Sequence, residues 1–271
     1  MLSGLDDRLR LESARSAGTQ TAPAVQNRLL RLLPAEELSA VLAVADTVEL
    51  RARQVLQHWK LPIEHAYFLE SGLVSVAAKI GNDKFVEVWL IGSDGCVGVP
   101  LVLAPQAEPL HRRTVQVGGE ALRIPASSFR ELSHRLPVLH ALLYRYVAFL
   151  LVQTSQSGAC NLRHPTKERL ARWLLLARKA LATDDIPLTH EAISQLLGVR
   201  RASITECLEA FQTEGFIRTR RRFIKVEDAK GLERISCHCF GLIDREYRRQ
   251  ITFRSGPAPT SAGRSADPVA L

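Results

Sequence analysis

The 271-residue chain is poor in sulfur, with five cysteines (Cys96, Cys160, Cys207, Cys237 and Cys239) and a single methionine, Met1. Five cysteines in a chain of this length make no disulfide framework, and the odd count fits a reducing compartment. Long apolar runs are lacking too. Met1 to Gly18 carries Asp6, Asp7, Arg8, Arg10, Glu12 and Arg15, so no secretory leader is expected. The most apolar stretch, Leu136 to Val152, is interrupted by His140 and Arg145 and reads as a buried helix, not a membrane span. Catalytic signatures are absent: there is no G-x-S-x-G, no Walker loop and no dinucleotide fingerprint. His58, His65, His111 and His134 lack the H-x-H spacing of a metal enzyme built on β-strands. No enzymatic activity is expected.

What the chain does have is a lopsided positive charge. The formal net charge is +8. Residues 1–159 hold 16 basic and 15 acidic residues, whereas residues 160–251 hold 18 and 12. A nearly neutral first part followed by a basic second part points to two tasks, the second involving a polyanion.

Hydrophobic periodicity divides the chain further. Residues 1–24 and 251–271 are polar and rich in small residues, the composition of a disordered arm and tail. Val25 to Ala45 reads as short helices, with Pro34-Ala35-Glu36-Glu37 as a start signal. From Thr47 to Ile124 come short β-rich runs (47–50, 66–69, 73–80, 85–91, 114–117 and 121–124) separated by turn clusters, among them the hairpin candidate Gly81-Asn82-Asp83-Lys84. Such spacing argues for an antiparallel barrel or sandwich over residues 25–135. A helical period follows over 136–162. Leu139, Leu143, Tyr146 and Leu150, continued by Gln153, Ser157 and Cys160, form a heptad seam expected to meet a second copy of the chain. A second stripe, Val138, Leu142, Phe149 and Val152, is expected to cover the barrel.

The basic half, residues 163–250, carries the most specific motif. Thr189 is an N-cap, Ile193, Leu196 and Leu197 form one inner face, Gly198 marks a tight turn, and Ile204, Leu208 and Phe211 form the next inner face. This is a helix-turn-helix whose second helix opens with Arg200 and Arg201, able to reach phosphates and guanine edges. Two β-type runs then flank Arg220, Arg221 and Arg222, with Arg218 just before them, as a basic wing suited to phosphate contacts.

From Asn27 to Glu233 this order resembles the Crp/Fnr family of bacterial transcription regulators. The stretch Tyr67-Phe68-Leu69-Glu70-Ser71-Gly72-Leu73-Val74-Ser75-Val76 is similar to the family's sensor hairpin, and the Thr189–Ile217 block to its winged helix. The resemblance implies an α+β chain: an eight-stranded double-stranded β-helix (a cyclic nucleotide-binding-like barrel), a long dimerisation helix and a winged helix-turn-helix. It implies a cytoplasmic homodimer on a roughly palindromic double-stranded DNA operator, with RNA polymerase as a further partner if the chain is an activator, and no membrane. The family reads bases through R-E-x-x-x-R. Here Arg201 fills the first position, Ala202 replaces the Glu and Glu206 the second Arg, while Arg200 and Ser203 fall at phosphate contacts and Thr205 lies between Ser203 and Glu206. Ala202 offers a methyl surface to thymine and Glu206 an acceptor to cytosine.

The same resemblance outlines an effector site that is half present. Gly98 keeps the glycine of the family's phosphate cassette, but Val99 replaces the Glu that holds the ribose; Arg113-Thr114 keeps the Arg-Thr pair, and Thr154-Ser155 falls where the cyclic AMP receptor contacts the purine. Valine cannot accept hydroxyl hydrogen bonds, so an ordinary cyclic AMP response is not expected. No cofactor is expected; a cyclic-nucleotide-responsive activator and a cysteine-based redox regulator are the alternatives. Residues 1–95 contain no cysteine, against the N-terminal iron–sulfur cluster of one family branch. Cys237-His238-Cys239 sits in a basic segment, but three sequence neighbours do not easily converge on one tetrahedral ion, and no metal site is expected.

Overall fold

The computed structural model describes residues 25–252 apart from 82, 83, 105, 107 and 222. The expected arm (1–24), most of the expected tail (253–271), the tip of the 81–84 hairpin and Arg222 lie outside the described residues. Within them, a 3₁₀ turn (Leu30–Leu32) and α1 (Ala35–Leu42) precede eight strands: β1 (Asp46–Leu50), β2 (Val55–Gln57), β3 (His65–Leu69), β4 (Leu73–Lys79), β5 (Phe85–Ile91), β6 (Cys96–Val97), β7 (His111–Val117) and β8 (Gly119–Pro125), with α2 (Pro100–Leu103) after β6. All pairings are antiparallel, in two sheets ordered β1-β8-β3-β6 and β2-β7-β4-β5. The barrel expected from the sequence is therefore two facing four-stranded sheets. Their shared interior holds Leu50, Tyr67, Leu69, Val74, Val76, Ile91, Val97, Val115 and Ala121.

Two polar residues lock the flanking segments onto this body. Asn27 is fully buried. Its amide donates to Leu69 O and Gly95 O, and its Oδ1 accepts from Leu29 N and Leu30 N, so every polar atom is satisfied. Glu37, on α1, sits at the start of the long helix α4 (Pro137–Arg163), which follows α3 (Ala126–Arg135). Its two carboxylate oxygens accept from Val138 N and Leu139 N at 2.9 and 2.8 Å, an anion on the free N–H groups of a helix start.

α4 is the one helix among the described residues long and apolar enough to cross a bilayer by length and composition. In this structure one side of it is occupied by protein. Leu139, Leu142, Leu143, Tyr146 and Phe149 join the core shared with α1, α3 and the C-terminal helix α9 (Cys239–Ile251). The C-terminal half begins with α5 (Thr166–Leu181), then β9 (Asp185–Ile186), α6 (His190–Leu197), α7 (Arg201–Thr213), β10 (Ile217–Arg220), β11 (Phe223–Val226) and α8 (Ala229–Ile235). Helix α9 returns to α4, with Tyr247 packed edge-on to Phe149 and donating to Asp94 O at 2.9 Å. Ile251, assigned to the tail from sequence, is helical and buried there.

The two halves are docked on each other. Leu73 and Leu90 belong to the core of the C-terminal half, Trp173 Nε1 donates to Glu87 Oε1 at 2.8 Å, and Ser93 N donates to Ala180 O at 3.1 Å. A Cβ on Gly92 would lie 2.1 Å from Ala180 O and 2.5 Å from its carbonyl carbon, so the two backbones meet only because position 92 has no side chain. Gly92→Ala is expected to open this contact, weakening the fold by about 1–3 kcal/mol. Limited proteolysis should then cut faster between α4 and α5; unchanged protection would contradict the docked arrangement.

Candidate nucleic-acid interface and a thiol cluster

The helix-turn-helix forms where the sequence places it. Thr189 caps α6 by accepting from Ala192 N at 3.2 Å, and Gly198 closes it in the left-handed region at φ 64°. Ile193, Ile204, Leu208 and Phe211 are fully buried. Arg200, Arg201, Ala202 and Glu206 are exposed, while Ser203 and Thr205 are half-buried. The first turn of α7 has no acidic residue and no side-chain cap, leaving its N–H groups open to a phosphate oxygen beside the two arginines. Thr205 is not free to read a base on its own, because its Oγ1 pairs with His190 Nδ1 at 3.1 Å. Burial and the Arg201 charge hold the His190 pKa below the usual histidine range, so the ring orients Thr205 as a neutral partner.

The wing pairs Arg218 with Lys225 and Arg220 with Phe223 in an antiparallel ladder. It is fastened to α7 by Gln212, whose Oε1 accepts from Thr219 N at 2.8 Å. Arg220 and Arg221 are exposed. Arg218 is engaged with Glu227 at 3.3 Å, which weakens it as the phosphate contact assigned to it from sequence. Sequence reading missed His190 and Gln212; both act by holding another residue, and only their tertiary partners reveal it.

The residues proposed for an effector do not share one pocket. Arg113 points between the sheets, 3% exposed, its Nη1 donating to His111 O at 3.4 Å and its charge facing Tyr146 and Cys96. Burial lowers its pKa to about 10. Thr114, one residue on, stands on the opposite face of β7 beside Ser75 and Gln116, as strand alternation requires. Gly98 adopts φ 98° against Ala66, and Val99 is buried among apolar side chains. The Thr154 and Ser155 hydroxyls donate to Leu150 O and Leu151 O of their own helix.

The heptad residues also lie differently from expectation. Leu139, Leu143 and Tyr146 are at most 2% exposed within their own chain, and Leu150 packs against the same core. Leu139, Leu143 and Tyr146 face the chain's own core and have no area left for a partner, and Leu150 is half-buried beside them. The solvent face of α4 instead carries Ala141, Tyr144, Ala148, Leu151, Ser155, Gly158 and Leu162, again in steps of three and four. Leu151 is 69% and Leu162 86% exposed.

The fold also gathers thiols the sequence left apart. Cys160 near the end of α4, His164 just after it, and Cys237 and Cys239 around the α8–α9 corner bring four ligand atoms within 4.8 Å of one another. Cys160 Sγ lies 3.4 Å from Cys237 Sγ, and Cys239 Sγ 3.6 Å from His164 Nδ1. The Cys237 hydrogen bond and the Arg172 charge pull the Cys160 thiol well below its ordinary range. The sequence reading considered Cys237, His238 and Cys239 as neighbours only. His238 is exposed and packs edge-on against His164 at 5.4 Å without joining the four ligand atoms, and the end of α4 supplies the two further groups.

Residues 168–235 match the model of the Crp-like helix-turn-helix domain, spanning α5 to α8. The C-terminal half is thus similar to a Crp-like helix-turn-helix domain, and the fold of the chain is similar to that of a Crp/Fnr family regulator from Eubacterium rectale, with a TM-score of 0.56 at 18% identity, covering 76% of this chain and 96% of that one. Among solved Crp/Fnr-like folds, FixK2 from Bradyrhizobium japonicum gives a TM-score of 0.62 at 17% identity, covering 72% of this chain and 98% of its own. The c-di-GMP responsive global regulator CLP of Xanthomonas campestris gives 0.57 at 17%, covering 71% and 99%. In sequence, the global nitrogen regulator of Nostoc sp. is 22% identical over 181 residues, 64% of this chain and 81% of that protein. The Crp/Fnr fold thus extends over both halves of the chain, and the family model covers the half that carries Arg200 and Arg201.

Proposed function

We propose that this protein is a cytoplasmic regulator of the Crp/Fnr type that binds a roughly palindromic operator as a homodimer, α7 in the major groove and the wing on the backbone. The observation that supports it best is the exposed Arg200–Arg201 pair at the open N-terminus of a helix whose other face is fully buried. The exposed seam of α4 is the surface for the second copy, placing half-site centres about 34–36 Å apart. RNA polymerase is the further partner if the regulator activates. If the sensor half takes an effector, Arg113 is its anion handle and Val99 disfavours a ribose; control without a small molecule is the other outcome. Calorimetry against cyclic AMP and cyclic di-GMP, with Arg113→Ala as control, tests that assignment.

Selection of operators from random DNA, followed by gel shifts across a salt series, tests DNA binding. Arg201→Ala should relax one base pair of each half-site by about 1–3 kcal/mol. Arg220→Ala with Arg221→Ala should weaken all sequences alike and flatten the salt slope. Folded protein without sequence preference at moderate salt would refute the proposal, and the reverse pattern would exchange the roles of helix and wing.

A further inference from the structure

We propose that Cys160, His164, Cys237 and Cys239 form a structural zinc site that clamps the end of the long helix α4 to the start of α9. The donor set is three thiols and an imidazole, the Cys₃His composition that Zn²⁺ takes in closed, four-coordinate sites. The spacing fits one ion. Zn–S bonds of about 2.3 Å at tetrahedral angles place sulfurs about 3.8 Å apart, and the observed 3.4 and 3.6 Å contacts, with all four atoms within 4.8 Å, need only small adjustment. An iron–sulfur cluster would hold its cysteine sulfurs farther apart, because several irons lie between them.

The surroundings suit a closed site. Cys160 and Cys239 are fully buried and Cys237 is 4% exposed. Gln156 Nε2 donates to Cys239 Sγ at 3.1 Å, the kind of outer hydrogen bond that orients a thiolate ligand. Three thiolates around Zn²⁺ leave one negative charge. The Arg172 guanidinium, 4% exposed, and that of Arg169 both act on the sulfur positions and oppose it.

The placement indicates what the ion does. His164 follows α4 and precedes Pro165 and α5, so the ligands straddle the joint between the seam helix and the DNA-binding half. Cys237 and Cys239 tie the C-terminal helix to that joint. Zinc there fixes the angle at which α4 hands over to α5.

Protein prepared without chelators should contain one zinc per chain by elemental analysis and retain it through gel filtration. Replacement by Co²⁺ should give a thiolate-to-cobalt charge-transfer band and the visible bands of tetrahedral cobalt. Cys237→Ser and Cys239→Ser should lose the ion, Cys207→Ser and His238→Ala should keep it, and His164→Cys should retain it with shifted cobalt bands. Chelation should lower the melting temperature of the intact chain and speed proteolysis around 160–166. If the serine variants fail to fold, the cobalt spectrum of the unaltered chain still decides. Stoichiometric iron and sulfide, a Cys160–Cys237 disulfide in place of metal, or zinc that survives Cys160→Ser together with His164→Ala would each overturn the assignment.

Discussion

If the chain pairs as proposed, Leu151→Arg is expected to leave it a folded monomer and to cost operator affinity about 10²–10⁴-fold, the loss that follows when two linked half-site contacts become independent. Leu151 is 69% exposed in the single chain, so an arginine there buries no charge and leaves the monomer core intact. In a dimer the same side chain lies mid-seam, between Ala148 and Ser155, whose small size lets two helices approach closely. The contrasting variant is Leu143→Ala. Leu143 is fully buried against the chain's own core, and its truncation should cost about 2–5 kcal/mol of folding stability while leaving association unchanged. Light scattering and denaturant melts on the two variants separate the faces. A dimeric Leu151→Arg with full operator affinity, or a monomeric but fully stable Leu143→Ala, would return the interface to the face read from sequence.

That reversal shows where sequence reading stops. Period alone identifies a helix with two apolar stripes, but Leu139, Leu143 and Tyr146 of the one and Leu142 and Phe149 of the other share a single core, and the exposed row through Leu151 was not read from the sequence. Which stripe meets the sheets depends on the sheets' position and on α9, a C-terminal helix whose packing on α4 has no local signal in the sequence of α4. β1, β3, β4 and β5 were read to within a residue at each end, β7 and β8 over four of their seven residues, and β2 and β6, three and two residues long, fell below any periodic window. In the effector region, matching adjacent residues to a family pattern put Arg113 and Thr114 together, but an extended strand sends them to opposite faces. The helix-turn-helix was legible because its chemistry is local: cap, glycine turn and arginine pair fall within one short span. The thiol cluster was not, because Cys160 and Cys237 are 77 positions apart and only the fold makes them neighbours.

The contact between sheets and DNA-binding half should weaken as pH rises, through Glu87. Its carboxyl lies on β5 under α5, where burial pushes its pKa up to about 8 against the pull of the Trp173 hydrogen bond and the Arg172 charge. Below about pH 4.5 the group is protonated whether docked or free, and burial carries no ionisation penalty. As pH rises from there toward 8, the free carboxyl ionises while the docked one keeps its proton, so the undocked state gains and stability is lost. The slope is about 1.4 kcal/mol per pH unit, a few kcal/mol over the window. Asp94, whose pKa burial also raises, acts with the same sign, and other groups move differently. Lys179, lowered by burial to about 8, affects stability above that value. His111 and His190, held below the usual histidine range, favour the folded chain as pH rises through their titration, the opposite sign. Glu87→Gln keeps an oxygen to accept from Trp173 Nε1 and removes only the ionisation, so the difference between the two proteins isolates Glu87. Hydrogen exchange at 89–92 and 172–176 should accelerate between pH 5 and pH 8 in the unaltered chain and much less in Glu87→Gln. Parallel pH profiles in the two proteins would show that the carboxyl is already ionised in the docked state, with Arg172 carrying its charge.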